Sequence, residues 1–164
     1  MKTKAQPFFY PATLDKVVDG DTLTCTLDLG FHIHHWKKIR FYGVNAPESR
    51  TRNKREKEAG LKAKARVIEL LENADLHIQS YGVGKFGRVL GEVFVAPEFV
   101  GEHITECINN PDSDIDISSD GWVSINDILI EEGHAYDYHG GKKKDFKKEI
   151  KEEKQAAEES VKEI

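Results

Sequence analysis

The first part of the chain alternates between β-rich runs and short turns. Residues 12–18 and 22–29 alternate apolar and polar side chains, and Asp19-Gly20-Asp21 separates the two runs. Such alternation is typical of strands with one buried face, and Gly20 tolerates the positive φ of a tight turn. The pattern therefore predicts two strands joined at this turn, with both carboxylates presented on one side of it.

A third strand is predicted after Gly30 and Phe31, and it leads into Ile39-Arg40-Phe41-Tyr42-Gly43-Val44-Asn45-Ala46-Pro47-Glu48. This stretch begins as an apolar strand with one arginine and ends in a polar turn. Pro47 fixes the backbone just ahead of a carboxylate. The end of a strand is a rigid mount, so the polar side chains here are candidates for a functional site.

A helix is predicted next, because small and apolar residues recur at three- and four-residue steps. The stripe consists of Ala59, Ala63, Val67, Leu70, Leu71 and Ala74. Asn73 and Asp75 end this pattern before two further β-rich runs, residues 76–81 and 89–95. A glycine-rich loop with Lys85 and Arg88 connects those runs.

The last third of the sequence is more polar. Residues 96–119 contain Pro97, Pro111 and an acidic run at 112–116, so we expect an irregular excursion there. A short helix is predicted within residues 123–135, and a lysine- and glutamate-rich surface helix is predicted for residues 142–163.

The end of the excursion has two interpretations. Seven residues have the spacing of an EF-hand-like calcium loop: Asp116, Ser118, Asp120, Gly121, Trp122, Ser124 and Asp127. The same segment is also typical of a hairpin turn at Asp120-Gly121, followed by a helix that Ser124 and Asp127 cap. The sequence leaves both interpretations open.

The chain has 164 residues and a mass of 18.6 kDa, which suits one domain with a terminal extension. We expect an N-terminal arm at residues 1–11 and a single domain at 12–163, with an acidic insertion at about 96–119. No apolar run is long enough to span a membrane and no signal-peptide core is present, so we expect a cytoplasmic protein. Cys25 and Cys107 lack metal-ligand spacing and are expected to be reduced.

Charge is distributed unevenly along the chain. The net charge is −5, which argues against a protein that coats nucleic acid by bulk positive charge. Residues 37–66 nevertheless contain eleven Lys or Arg against three Glu, whereas residues 92–137 contain twelve acids and no Lys or Arg. One part of the surface is therefore expected to attract polyanions and another to repel them.

Several polar residues have the chemistry of a phosphodiester-cleaving site. Arg40 offers a planar fork for phosphate oxygens, Asn45 a carbonyl oxygen for a hard cation, and Glu48 a carboxylate that can take a proton from water. Asp19 and Asp21 share a face if the chain stays extended, which favours a cation. His32 and His34 also suggest a zinc site, but the sequence offers no further ligands of known position.

Three segments in this order resemble the signatures of staphylococcal nuclease-like (thermonuclease) domains. They are Asp19-Gly20-Asp21-Thr22, the stretch from Arg40 to Glu48, and Lys85-Phe86-Gly87-Arg88-Val89-Leu90-Gly91. A fourth segment, residues 123–135, is similar to the short helix of the family that ends in Gly-x-Ala. The resemblance covers about residues 12–95 and 120–163.

The resemblance implies an α+β, mainly β fold, a five-stranded oligonucleotide-binding barrel with about three helices. It implies an endo/exonuclease that hydrolyses DNA and RNA to 3′-phosphate products with one Ca²⁺, prefers single-stranded or frayed regions, and acts as a monomer. Carried over residue by residue, the metal ligands are Asp21, Asn45 and the Ala46 carbonyl, with Asp19 in support. Glu48 is the general base, Arg40 and Arg88 hold the phosphate, and Lys85 and Tyr138 bind substrate.

Two positions depart from the family pattern. Many members have Asp where this chain has Asn45, so the site loses one negative charge and is expected to bind calcium more weakly or to select a different cation. Phe86 stands where the family often has Tyr, which removes one hydroxyl donor to phosphate. The alternative is a non-catalytic module of the same fold that binds nucleic acid or a protein, but such a module has no use for a general base.

Overall fold

The computed structural model describes residues 7–140 and 155–161. Its strands are β1 (Phe9–Asp19), β2 (Thr22–Asp28), β3 (His34–Phe41), β4 (Val44–Asn45), β5 (Leu76–Val83), β6 (Val89–Val95), β7 (Val123–Ser124) and β8 (Tyr136–Asp137). Its named helices are α1 (Lys54–Leu71), α2 (Gly101–Ile108) and α3 (Ile125–Glu131), and residues 155–161 are also helical.

Five strands close into a barrel. Antiparallel pairs join β2 to β3, β1 to β2, β1 to β5 and β5 to β6, and a parallel pair between β3 and β6 closes the ring. The short β7 adds to β6, and β4 pairs separately with β8. This architecture confirms the predicted five-stranded oligonucleotide-binding barrel.

The predicted alternation places the core correctly. Leu23, Cys25 and Leu27 on β2 are buried, as are Ile39 and Phe41 on β3. Both cysteines are free, as expected, and burial raises the pKa of the Cys25 thiol to about 12. That thiol is therefore a core side chain and not a nucleophile.

Helix α1 lies against the turns at one end of the barrel. Asn53 caps it, because its side-chain oxygen accepts hydrogen bonds from the backbone N–H groups of Arg55 and Glu56 at 3.1 Å. The predicted stripe is buried except for Ala59, which is exposed, and Ala74, which is half-buried; Gly60 is buried beside it. A glycine is needed at position 60 because the helix packs directly on backbone there: an added Cβ would lie 2.6 Å from the carbonyl carbon of Glu48.

The segment 96–119 is not irregular throughout, so that expectation is wrong in part. It contains a 3₁₀ turn at Pro97–Phe99 and helix α2, whose Ile104 is buried. Val100 and Ile115 are buried as well, and they join the core of the barrel. Burial of three apolar side chains gives the segment fixed structure despite its prolines and acids.

Two further expectations concern the C-terminal helix and membrane-spanning segments. The predicted surface helix at 142–163 is helical at 155–161, and its other residues lie outside the described part. Among the described helices, none is both long enough and apolar enough to cross a membrane.

Replacement of Gly60 by alanine tests the close approach of α1 to the Pro47–Glu48 segment. Helix propensity alone favours alanine by about 1 kcal/mol, but the added Cβ would also lie 2.7 Å from the Pro47 carbonyl oxygen. We expect Gly60→Ala to lower the free energy of unfolding by about 1–3 kcal/mol in urea titrations, as overpacking does.

Ala65→Gly, at an exposed position of the same helix, is the control that measures propensity alone. It is expected to cost about 1 kcal/mol. A Gly60→Ala variant more stable than the parent chain would contradict this prediction, because it would show that the Pro47–Glu48 segment can move to accommodate the Cβ without loss of stability.

Candidate active site

The guanidinium of Arg40 lies among the polar turns at one end of the barrel. Its Nη1 donates hydrogen bonds to the carbonyl oxygens of Phe41 at 3.0 Å and Val44 at 2.9 Å. Its Nη2 donates to Asn45 Oδ1 at 3.1 Å and lies 3.5 Å from Asp21 Oδ2. The side chain is only 11% exposed, so these contacts fix its orientation.

Asp21 connects the first turn of the chain to the segment after β4. Its Oδ2 accepts a hydrogen bond from the backbone N–H of Ala46 at 2.9 Å, and its Oδ1 accepts one from the Thr22 hydroxyl at 3.0 Å. The structure therefore brings Asp21, Arg40, Asn45 and Ala46 together. Asp19 lies at the end of β1, where its Oδ1 is 3.3 Å from the backbone nitrogen of Gly20.

Asn45 is buried and has a partner that the sequence did not indicate. Its Nδ2 donates to the hydroxyl of Tyr136 at 2.8 Å, and the two residues pair directly between β4 and β8. Tyr138 was expected to face the substrate; it is half-buried, and its backbone N–H donates to Gly43 at 2.8 Å. Tyr136, two residues earlier, holds Asn45 through the hydrogen bond to its hydroxyl. In the sequence, the only sign of a functional role for Tyr136 was that it is aromatic.

Glu48 is exposed on the segment that α1 supports. The Cβ that alanine would carry at Gly60 would meet the backbone of Pro47 and Glu48 within 2.7 Å, so helix and segment are in direct contact. Gly20 approaches the same helix closely, since a Cβ added at Gly20 would lie 2.7 Å from the Ala63 Cβ. One helix therefore positions both the turn with Asp19 and Asp21 and the segment with Glu48.

Arg88 lies just before β6, the strand that pairs in parallel with β3. Arg40 is in register with Leu90, and alternate residues of a strand share a face, so Arg88 is on the side of the barrel that carries Arg40. Within the described residues its guanidinium makes no hydrogen bond or ion pair. Lys85 and Phe86 are exposed in the preceding turn, with Phe86 94% exposed at a φ of 62°.

A cluster of three carboxylates forms a second polar centre. Glu92, Asp116 and Asp127 each bring one oxygen within 4.8 Å of the others, so the group is able to hold a cation. Among the described residues, this is the one group of three or more such side chains that lie close enough to share a metal ion. It contains no histidine. The cluster lines a cavity of about 180 Å³ that Gly43 and Val44 also line, so it adjoins the turn after Arg40.

The EF-hand-like loop is not what brings these acids together. Ser118 N–H donates to the Trp122 carbonyl at 2.8 Å, which makes the segment the hairpin of the alternative interpretation. The Ser124 hydroxyl accepts from the Asp127 N–H at 3.4 Å and caps α3. Asp116 and Asp127 do meet, but Glu92 of β6 was missed, because nothing local in the sequence marks its contact with them.

Burial changes the pKa of one member of this cluster. Loss of hydration, together with the charges of Glu92 and Asp116 and against a lowering hydrogen bond from the Asp116 N–H, raises the pKa of Asp127 to about 6. Glu92 accepts from the Ser124 hydroxyl and from the Tyr81 hydroxyl, both at 2.7 Å. Burial, followed by that hydrogen bond to Glu92, also raises the pKa of Tyr81.

Comparison with protein families gives one match, which covers most of the chain. Residues 38–164 match the model described as staphylococcal nuclease homologue. The matched range includes Arg40, Asn45, Glu48 and Arg88, and it begins after the turn with Asp21. No curated protein matches the chain.

The raised pKa of Asp127 predicts a pH-dependent stability. The folded-state pKa is about 6 and the ordinary value is 3.8, so stability falls as the pH rises between these values and stays lower above them. We expect Asp127→Asn in EDTA to have a higher Tm than the parent chain at pH 7.5, with the gain shrinking towards pH 4.

Asp114→Asn removes the same charge from an exposed position and is the matched control, expected to change Tm equally little at both pH values. Differential scanning calorimetry measures both variants. A gain for Asp127→Asn that is the same at pH 4 and pH 7.5 would contradict the assignment.

Proposed function

This chain belongs to the family of staphylococcal nuclease homologues, and from that membership we propose that it hydrolyses phosphodiester bonds in DNA and RNA. The proposed reaction depends on calcium, prefers single-stranded or frayed regions and leaves 3′-phosphate products. The observation that supports it best is the convergence of Asp21, Arg40 and Asn45 at the end of the barrel. Glu48 follows Ala46 by two residues on a segment that contacts α1, and Arg88 precedes β6, the strand that pairs with the strand of Arg40.

The donor set at Asp21 suits a hard cation. Asp21 Oδ2 and Asn45 Oδ1 lie close together, because both contact Arg40 Nη2, at 3.5 Å and 3.1 Å, and a cation here would use the lone pairs that face away from the guanidinium. Carboxylate, amide and carbonyl oxygens are the ligands that calcium prefers, and Ala46 adds a backbone carbonyl. When bound, calcium supplies positive charge beside the scissile phosphate. Asp21 is the one carboxylate among these three ligands, so we expect weak binding, with Asp19, two residues earlier in the chain, in support.

The protein residues have separate roles in the proposed reaction. Glu48 takes the proton from the attacking water, and its exposure allows water and substrate to reach it. Both N–H groups of Arg40 Nη1 are directed to backbone carbonyls, so this arginine is preorganised before substrate arrives. Arg88 makes no such contacts within the described residues, so its guanidinium is available to the phosphate.

Substrate binding would use side chains at the rim of the site. Lys85 is exposed near Arg88 and offers a charge to a neighbouring phosphate. Tyr138 is half-buried and contacts the ring of Tyr136 edge-on, with centroids 6.3 Å apart. Stacking on such a ring tolerates any base, so weak sequence preference is expected.

The removal of the proposed base is the first test of catalysis. We expect Glu48→Gln to reduce cleavage of single-stranded DNA at least ~10²-fold, because the amide cannot accept the proton from water. Rates are measured with 5′-labelled oligonucleotide at saturating calcium, and the product ends are identified as 3′-phosphates by mass spectrometry.

Glu72→Gln, at an exposed position at the end of α1, is the matched control and should retain full activity. A parent chain that binds single-stranded DNA yet cleaves nothing with calcium, manganese or magnesium would support the non-catalytic alternative instead.

Restoration of a carboxylate at Asn45 tests the proposed metal site. We expect Asn45→Asp to lower the calcium concentration for half-maximal activity roughly tenfold, which corresponds to about 1.4 kcal/mol of added binding energy. The Tyr136 hydroxyl, which accepts a hydrogen bond from Asn45, lies 2.8 Å from the amide nitrogen that a carboxylate oxygen would replace.

A thermal readout separates metal binding from catalysis. In EDTA the Tm of Asn45→Asp should fall below that of the parent chain, and calcium should raise it more than it raises the parent Tm. Tyr136→Phe is the control that removes only the supporting hydroxyl. An unchanged calcium requirement together with an unchanged calcium effect on Tm would place the metal elsewhere.

A further inference from the structure

The strand that carries Arg40 also carries an exposed tryptophan on the same face. Alternate residues of a strand share a face, so Trp36, Lys38 and Arg40 of β3 point to one side, opposite the buried Ile39. Trp36 is 56% exposed and Lys38 is exposed. Four residues of strand separate Trp36 from Arg40, a distance of ~13 Å.

The indole of Trp36 is held in place although its ring is exposed. Its Nε1 donates a hydrogen bond to Asp15 Oδ2 at 3.1 Å, and the same oxygen accepts from the Thr24 hydroxyl at 2.8 Å. The hydrogen bond from Thr24, followed by that from Trp36, lowers the pKa of Asp15. The register of β1 against β2 shifts between Leu14 and Lys16, so a bulge directs Asp15 towards this pair.

Cationic side chains lie beside the tryptophan. Thr24 is in register with Lys16 on one neighbouring strand and with Lys38 on the other, and both lysines are exposed. Asp15 is an acid at the same place, but its carboxylate is committed to Trp36 and Thr24. An oriented aromatic face beside ammonium groups is the chemistry that binds single-stranded nucleic acid, where bases stack and phosphates pair with lysine.

We propose that Trp36, Lys38 and Lys16 extend the substrate track of Arg40 along the outer face of β2 and β3. A single strand held at Arg40 continues along this face, and Trp36 stacks one of its bases. At about 3.4 Å per stacked nucleotide, the ~13 Å span places that base about four nucleotides from the scissile phosphate, and fewer if the strand is extended. The inference rests on the proposed function, because it takes Arg40 as the point of cleavage.

Substrates long enough to reach Trp36 should therefore bind more tightly because of this face, whereas dinucleotides should not. Stacking of one base contributes about 1–3 kcal/mol, so Trp36→Ala should raise KM for a twelve-residue oligothymidylate at least fivefold. Its kcat should stay unchanged, and so should its kcat/KM for a thymidine dinucleotide. Trp36→Phe retains a ring and should recover most of the loss, which also guards against a variant that fails to fold.

Phe8→Ala is the matched control, because it also removes an exposed aromatic ring. Phe8 lies next to the end of β1 that pairs with β5, away from β3, so no change in KM is expected. Lys38→Ala should reduce the slope of log affinity against log salt by ~0.7 for a single strand. Equal KM values for Trp36→Ala and the parent chain on the twelve-residue substrate would overturn the proposal.

Fluorescence tests the contact without cleavage. The chain has two tryptophans, so in Trp122→Phe the emission comes from Trp36 alone. In EDTA the twelve-residue oligothymidylate should quench this emission and the dinucleotide should not. Absence of quenching at oligonucleotide concentrations that saturate binding would overturn the proposal. Quenching by a chain that cleaves nothing would retain the binding face and reject the proposed nuclease activity.

Discussion

The hydrogen bonds of Arg40 hold together the end of the barrel on which the site depends. One guanidinium joins the turn at Asp21, the carbonyl of Val44 and the amide of Asn45. Hydrogen bonds that involve a charged group contribute about 1.5–3 kcal/mol each, and loss of the donor would leave buried acceptors without a partner. Because the same side chain is proposed to face the phosphate, the local structure and the chemistry share one residue. Its orientation is set before any substrate binds.

Helix α1 extends this order to the proposed base. Gly20 and Gly60 allow the helix to touch two backbone segments that would otherwise be loops at the surface. Contacts of this kind leave no room for adjustment, since protein interiors are close-packed. The distance between the Asp21 turn and Glu48 is therefore set by the position of a helix and not by the conformation of two independent loops. A rigid support of this kind is what a site needs to hold a base near a phosphate.

Local pattern was sufficient for the barrel and insufficient for the contacts inside the site. Alternation predicted the strands because a buried face repeats every second residue, but it did not show that β3 pairs in parallel with β6, which brings the segments of Arg40 and Arg88 side by side. Tyr136 and Glu92 were missed because their partners are 91 and 32 residues away along the chain. Helix α2 was missed because prolines and acids around it are typical of loops, whereas burial of Ile104 is a tertiary effect.

Asn45 reduces the negative charge at the site that we propose for the metal. With an aspartate at this position, the pair with Asp21 would carry two negative charges against the single positive charge of Arg40, and the excess would be partly buried. The asparagine leaves one negative and one positive charge, and its amide also donates to Tyr136. The charges of Asp21 and Arg40 therefore balance each other in this turn. The same balance leaves less negative charge to attract the calcium ion that we propose, so the weaker calcium binding expected at this site and the order of this turn have one physical cause.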